Sequence, residues 1–290
     1  MAHPSQLTTA SDPTEQAGDQ LIRFLLPDAF TRGAIIRGKQ IIETAASMHR
    51  LDAADGLLFG QALLSSILLL SISKGGVRQV LQLDATVKSA SWQRLLAETR
   101  PGAVRGYINR NDSNAEPDAP SLAARMGSTI RLSTVRDPGF GQPYISTVEH
   151  DSPYLADHIV RYLAQSVQIR ADIVLHDDLA IMIEAMPGCD EEHWFKAVEA
   201  LAKIPASAMA EQTPEALLAY FDSLHCRQAG SDNYSYRCGC SPAMMAESLR
   251  AIPAEQLDEL VDASGHITVT CQYCGNHYAV AHSVTPSRLQ

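Results

Sequence analysis

Four of the six cysteines in the chain form two close pairs near its C-terminal end. The first pair is Cys238-Gly239-Cys240, and the second is Cys271-Gln272-Tyr273-Cys274. Structural zinc sites are tetrahedral, and cysteine thiolates one or two residues apart can bind the same ion. The spacing therefore predicts one Zn²⁺ per chain in the reduced state, with four ligands: Cys238, Cys240, Cys271 and Cys274.

The sequence around the second pair predicts a hairpin. Residues 266–270 (HITVT) alternate between apolar and polar side chains as a strand does, and residues 277–281 (HYAVA) supply the return strand. Gly275 follows the pair at the turn, where glycine permits the positive φ that a tight knuckle requires. We expect a small zinc-binding domain over residues 236–290.

Such a site is compatible with two roles. The zinc can be purely structural, as is usual for CxxC pairs, in a zinc-ribbon binding module. Alternatively, the thiolates react with oxidants, because a Cys-x-Cys pair can close into a strained, readily reduced disulfide once the metal leaves. Zinc binding drives the folding of so small a domain, so oxidation would then unfold it. The spacing alone leaves both roles open.

Residues 19–188 predict an α+β core domain of helices and mostly antiparallel strands. Apolar residues at three- and four-residue steps predict helical structure over 19–49, and residues 152–168 predict another helix. Strands are predicted at residues 77–87, 104–109, 129–135, 144–148, 169–175 and 179–186.

The core is predicted to lie between two polar segments. Residues 1–18 lack the apolar stretch of a signal peptide and are interpreted as a disordered leader. Residues 189–235 contain short amphipathic helices, at 191–204 and 214–224, and end in a polar spacer. We interpret residues 189–235 as a helical, redox-sensitive linker whose apolar faces must pack on another part of the chain.

The most apolar stretch, residues 57–72, is interpreted as a buried core helix. It contains Gln61 and three serines, and it is short for a bilayer of roughly 30 Å. We therefore expect no membrane partner. Without an export signal we expect a cytoplasmic location, where grouped cysteines indicate metal or redox chemistry rather than stable disulfides.

Charge argues against nucleic acid as a partner. The chain has 33 acidic and 23 basic side chains, for a formal charge of −10, and the sequence shows no basic cluster. A zinc ribbon that binds nucleic acid would need basic side chains near the knuckle, whereas residues 238–282 contain only Arg250. A zinc module that binds protein is not excluded by charge.

Several segments resemble the redox-regulated 33 kDa heat-shock chaperone family (33 kDa chaperonin). The most specific is Cys238-Gly239-Cys240 followed by CQYCGNHY at residues 271–278. Further similarities, which extend the resemblance from residue 19 to about 284, are DQLIR at 19–23, TRG at 31–33, YLAQS at 162–166 and IEAMPG at 183–188. Two glycine-rich turns of the family are thinned here, at residues 84–89 and 126–128.

The resemblance implies a molecular chaperone that holds unfolding client proteins without ATP and is not an enzyme. The reduced, zinc-bound chain would be inactive. Oxidants would join Cys238 to Cys240 and Cys271 to Cys274 and would release the zinc. The zinc domain and the linker would then loosen, apolar surface would appear, and the chain would form homodimers and bind clients during oxidative stress.

Other candidate residues are given simpler interpretations. Cys189 and Cys226 are isolated and are expected to be inert. His225 is interpreted as a solvated linker residue, and His266 and His277 as surface groups or outer-shell partners of the metal site. The sequence contains no P-loop, nucleophile elbow or dinucleotide fingerprint. A thiol–disulfide oxidoreductase would need its CxxC at the start of a helix, whereas this pair follows a strand.

Overall fold

The computed structural model describes residues 18–73, 75–111 and 121–281. Residues 1–17 of the predicted leader, and the part of the predicted zinc domain after residue 281, lie outside the described residues.

Strands and helices are numbered separately in chain order. The strands are β1 (Asp19–Leu26), β2 (Thr31–Arg37), β3 (Arg78–Ala85), β4 (Trp92–Arg100), β5 (Ala103–Arg110), β6 (Thr129–Asp137), β7 (Tyr144–Asp151), β8 (Ala171–His176), β9 (Leu179–Ala185), β10 (Arg227–Tyr236), β11 (His266–Thr270) and β12 (His277–Ala281). The helices are α1 (Lys39–His49), α2 (Ala53–Ile72), α3 (Leu122–Met126), α4 (Leu155–Tyr162), α5 (Glu191–Ala202), α6 (Ala206–Glu211), α7 (Pro214–Leu217), α8 (Pro242–Leu249) and α9 (Ala254–Asp258).

Ten strands form one sheet in the order β7-β6-β3-β4-β5-β10-β1-β2-β9-β8. All neighbouring pairs are antiparallel except β10 and β5, which run parallel and pair through only two residues, Ser235 with Ala103 and Tyr236 with Val104. Strands β11 and β12 form a separate hairpin. The predicted α+β class, dominated by antiparallel pairing, is confirmed.

The helices α1, α2 and α4 pack on one face of the large sheet. Helix α2 begins at Asp52, whose side chain accepts a hydrogen bond from the backbone N–H of Asp55 at 2.8 Å. It is the one described helix that is long and apolar enough to cross a membrane, and 72% of that stretch is buried inside the fold. The interpretation of residues 57–72 as a buried core helix is confirmed.

The opposite face of β1, β2 and β9 is covered by the helices of the predicted linker. A separate apolar cluster joins these strands to α5, α6, α7 and the 3₁₀ helix Leu218–Leu224. At its centre the rings of Phe24 and Phe221 stack with centroids 5.2 Å apart. The apolar faces of these short helices therefore have the packing partner that their amphipathic pattern required.

The helical prediction for residues 19–49 is correct only for α1, because residues 19–37 form β1, a 3₁₀ turn and β2. Both faces of these strands are buried: Leu21 and Ile36 join the cluster under α1 and α2, whereas Ile22 and Ile35 join the cluster under the linker helices. Burial on both faces removes the alternation by which a strand is ordinarily recognised.

Strand β10 corrects the interpretation of residues 228–237 as a polar spacer. It pairs along β1 from Asp19↔Tyr234 to Leu25↔Arg227. Only Tyr234 and Tyr236 of its side chains are buried, so backbone hydrogen bonds hold most of the strand. The linker therefore ends in a strand of the core sheet, immediately before the first cysteine pair.

The six strands predicted between residues 77 and 186 are all present, as β3, β5, β6, β7, β8 and β9. Strand β4 was not predicted. The helix predicted for residues 152–168 begins three residues later, at Leu155, and continues after Tyr162 as the π-helical turn Leu163–Val167.

Candidate metal centre

The two cysteine pairs are carried by separate elements that meet beside the large sheet. Cys238 and Cys240 follow the end of β10, and Cys271 and Cys274 lie in the turn between β11 and β12. That turn is closed by a hydrogen bond from the N–H of Gly275 to the carbonyl of Cys271 at 2.8 Å. Gly275 has φ = 71°, which is the left-handed conformation predicted for the knuckle.

The four predicted sulfur atoms all lie within 4.8 Å of one another. Two contacts cross between the pairs, Cys238 Sγ to Cys271 Sγ at 3.7 Å and Cys240 Sγ to Cys274 Sγ at 3.4 Å. Zn–S bonds of about 2.3 Å at tetrahedral angles place sulfur atoms about 3.8 Å apart. The donor set and its spacing therefore fit a zinc ion, and the cysteines are all free thiols.

Among the described residues this is the one group of three or more ligating side chains close enough to share an ion. The nearby histidines have other partners: His277 Nδ1 lies 2.8 Å from the hydroxyl of Thr270, and His266 Nδ1 lies 3.2 Å from that of Ser264. Cys226 lies partly buried against the apolar cluster between β1, β2, β9 and the linker helices (the linker cluster), where burial raises its pKa to about 11.

As thiols, Cys240, Cys274 and Cys238 differ in acidity. Burial acts to raise the pKa of Cys240, but hydrogen bonds from Tyr278 and from the other cysteines outweigh it and lower that pKa to about 7. Burial and contacts with the other cysteines raise the pKa of Cys274 to about 12 and also raise that of Cys238. Of these three thiols, Cys240 is therefore the first to ionise, and its negative charge opposes ionisation of Cys238 and Cys274.

Tyr278 also contacts the cysteine cluster, and we did not predict it as a functional residue. Its hydroxyl lies 2.9 Å from Cys240 Sγ, where it donates to the sulfur once that atom is a thiolate. Strand β12 holds the phenol there, because Tyr278 pairs with Val269 of β11 in the hairpin. The CGNHY segment contained this residue, but only the folded hairpin shows which sulfur it contacts.

Replacing Tyr278 with phenylalanine should weaken zinc binding about tenfold, because loss of an outer-shell hydrogen bond typically costs 10–100-fold in metal affinity. Competition with a coloured chelator measures this change. In the metal-free protein, the pH midpoint for alkylation of Cys240 should also rise above its value near 7. The exposed Tyr154, replaced in the same way, is the control; equal affinity in both variants would contradict the role of the hydroxyl.

The chain is similar over most of its length to proteins of one family. The family described as Hsp33 protein matches residues 19–281. The 33 kDa chaperonin of Lactobacillus delbrueckii subsp. bulgaricus is 27% identical over 278 residues, which cover 90% of this chain and 94% of the relative. The 33 kDa chaperonin of Pelobacter propionicus is 25% identical over an alignment of 297 positions, gaps included, which covers 94% of this chain and 97% of the relative.

Among solved structures, the 33 kDa chaperonin (heat shock protein 33 homolog) of Thermotoga maritima superposes with a TM-score of 0.76 at 20% sequence identity. The match covers 92% of this chain and 96% of that one, so the two proteins share the fold over almost their whole lengths. Since the family match also extends over most of the sequence, the chain belongs to the Hsp33 family of chaperones.

Proposed function

We propose that this protein is a redox-regulated, ATP-independent holdase that binds unfolding proteins during oxidative stress and is inactive while reduced and zinc-bound. The observation that carries the proposal is the position of the four cysteines. Cys238 and Cys240 follow directly on β10 and the linker helices, Cys271 and Cys274 lie beside them in space, and the linker helices cover an apolar face of the sheet. A change at the sulfur atoms therefore acts on the segment that hides a binding surface.

In the reduced state, Cys238, Cys240, Cys271 and Cys274 hold one Zn²⁺. When bound, the ion supplies positive charge that keeps all four sulfurs as thiolates and cross-links the two cysteine pairs. The small domain needs this cross-link, because the apolar cluster of its described part has only four fully buried members, Leu249, Leu257, Ile267 and Val280.

Oxidation joins Cys238 to Cys240 and Cys271 to Cys274. With hydrogen peroxide, each cysteine pair gives up two electrons and forms one S–S bond, while the O–O bond breaks and both oxygens leave as water after taking up two protons. Each disulfide removes two thiolate ligands, so the ion is released. Without it, a four-residue core does not hold the domain folded.

Loss of the folded zinc domain frees the end of β10 and then the linker. The helices α6 and α7 are too short to be stable in isolation, so they persist only while packed on the sheet. Their release exposes the apolar side chains that β1, β2 and β9 direct toward them, among them Ile22, Phe24, Ile35 and Ile181. This surface binds apolar segments of unfolding clients.

The same exposure accounts for the remaining parts of the proposal. An uncovered apolar face favours association of two copies, so oxidised chains form homodimers. Binding of this kind needs neither a catalytic group nor a nucleotide, so the protein acts as a binding protein rather than an enzyme, with no nucleic-acid or membrane partner. Its thiols require the reducing environment of the cytoplasm for the inactive state.

Light scattering by an aggregating client tests this function. Reduced, zinc-loaded protein should leave aggregation of a chemically denatured client unchanged, whereas peroxide-treated protein should suppress it and release one zinc per chain. Free thiols counted in parallel should fall by four. Equal activity in both states, with zinc retained after peroxide, would instead support a zinc-ribbon binding module whose zinc is purely structural.

A further inference from the structure

We propose that Tyr273, between the cysteines of the knuckle, is a docking residue that couples the metal site directly to the core sheet, independently of the linker helices. Its contacts with Glu98 and Arg105 on one side, and with Tyr236 and His49 on the other, are called the knuckle joint. The proposal rests on the proposed function for its biological meaning, but its test does not require client binding.

The side chain of Tyr273 lies against strands β4 and β5. Its hydroxyl donates to Glu98 Oε2 at 3.2 Å, and the guanidinium of Arg105 lies 4.1 Å from the centre of its ring. The ring of Tyr107 meets it edge to face, with centroids 5.4 Å apart. A cation–π contact, an aromatic pair and a charge-assisted hydrogen bond therefore converge on one knuckle residue.

Glu98 is a fixed acceptor for this hydroxyl. The side chain is 2% exposed, and it pairs with Arg78 at 2.7 Å and with Arg105 at 2.9 Å. Burial opposes its ionisation, but the two guanidiniums outweigh that effect and lower the pKa of Glu98 to about 2. The guanidinium of Arg105 therefore contacts both this carboxylate and the tyrosine ring.

The backbone of Tyr273 forms the second half of the joint. Its carbonyl oxygen lies 2.6 Å from the hydroxyl of Tyr236 and 3.1 Å from His49 Nε2. His49 Nε2 also lies 2.9 Å from the Tyr236 hydroxyl, so the imidazole contacts both groups in this part of the joint. The Tyr236 hydroxyl also lies 2.9 Å from the carbonyl of Gly106 in β5. The knuckle is thereby attached to α1, β5 and β10.

Through Tyr236, these contacts hold the end of β10. It is the last residue of β10, one of the two residues that pair β10 with β5, and it lies two residues before Cys238. The end of β10 is therefore held between the core and the knuckle. Without its ion the knuckle would open, and the carbonyl of Tyr273 would move away from the Tyr236 hydroxyl. Tyr236 would then lose a hydrogen-bond partner, in a strand, β10, whose other side chains are mostly exposed.

Hydrogen exchange of the amides of residues 227–236 in the full-length reduced protein tests the proposal. In the wild type, removing zinc with a chelator should speed exchange in β10 about tenfold. This factor corresponds to a loss of about 1.4 kcal/mol of local stability. Tyr273→Ala keeps the backbone carbonyl but removes the ring and hydroxyl that hold it against the core. Exchange should therefore already be faster by about tenfold with zinc bound, and chelation should add little.

Two matched variants control the measurement. Gln272→Ala changes an exposed residue of the same knuckle and should behave as the wild type. Tyr273→Phe keeps the ring and loses only the hydroxyl, so it should lose only part of the protection. Coupling is reciprocal, so Tyr273→Ala should also release zinc at a lower chelator concentration than Gln272→Ala.

The proposal is overturned if β10 in Tyr273→Ala stays as protected as in Gln272→Ala and both variants hold zinc equally well. It is also overturned if chelation leaves β10 of the wild type protected. Neither result depends on whether the oxidised protein holds clients, which the light-scattering assay decides separately.

Discussion

Replacing Cys271 with serine should prevent stoichiometric zinc binding by the reduced protein, with an affinity loss well beyond the roughly 100-fold upper range for an outer-shell contact. Cys271 is the most buried of the four cysteines, at 5% exposure, and its sulfur lies 3.7 Å from that of Cys238. A serine hydroxyl remains protonated at neutral pH and cannot replace the thiolate. Competition with a chelator gives the affinity directly.

The same variant should suppress client aggregation without any oxidant, because losing the ion has the structural effect that oxidation has in the proposed mechanism. Cys189→Ser is the matched control, since Cys189 lies against the linker cluster and outside the metal site. It should bind zinc and remain inactive when reduced. A Cys271→Ser protein that retained one zinc per chain would show that this sulfur is not a ligand.

Replacing Phe221 with aspartate should make the zinc-bound, reduced protein constitutively active. Phe221 is fully buried against Phe24 of β1. An unpaired carboxylate at this position costs at least about 3 kcal/mol, which shifts the equilibrium between docked and released linker more than 100-fold. Suppressed aggregation, greater binding of a fluorescent apolar dye and an unchanged zinc content are the expected results.

Phe195→Asp is the matched control, because Phe195 lies in linker helix α5 but is 67% exposed. The same substitution there should change neither dye binding nor activity in the reduced protein. If Phe221→Asp remained inactive although greater dye binding showed that its linker had been released, the face under the linker would not be the client-binding surface. Together with Cys271→Ser, this variant separates metal loss from linker release.

The cysteine cluster could be predicted from the sequence because its members are paired within one or two residues. Cys238 and Cys240, like Cys271 and Cys274, are placed near one another by the chain itself, and Gly275 indicates the turn between the hairpin strands. The helix α2 was recognisable for a similar reason, since its apolar character is continuous.

The knuckle joint was not predictable in this way. Tyr273 and Glu98 are separated by 175 residues, and nothing local to either indicates that they meet. Strand β10 was missed for a related reason. Its stability comes from backbone hydrogen bonds to β1, and its exposed side chains carry no apolar pattern. Residues 19–26, which form β1, were wrongly predicted as helical. Burial on both faces of this strand produced apolar spacings that resemble those of a helix.

The pairing of β1 with β10 has a consequence for the synthesis of the protein. Arg23 and Asp232, which form an ion pair across the two strands, are 209 residues apart. At about 5–20 residues per second, β1 leaves the ribosome roughly 10–40 s before its partner has been translated. Throughout that interval one edge of β1 is open to pairing with other chains. A nascent copy is then itself a polypeptide of the kind that the finished protein is proposed to hold.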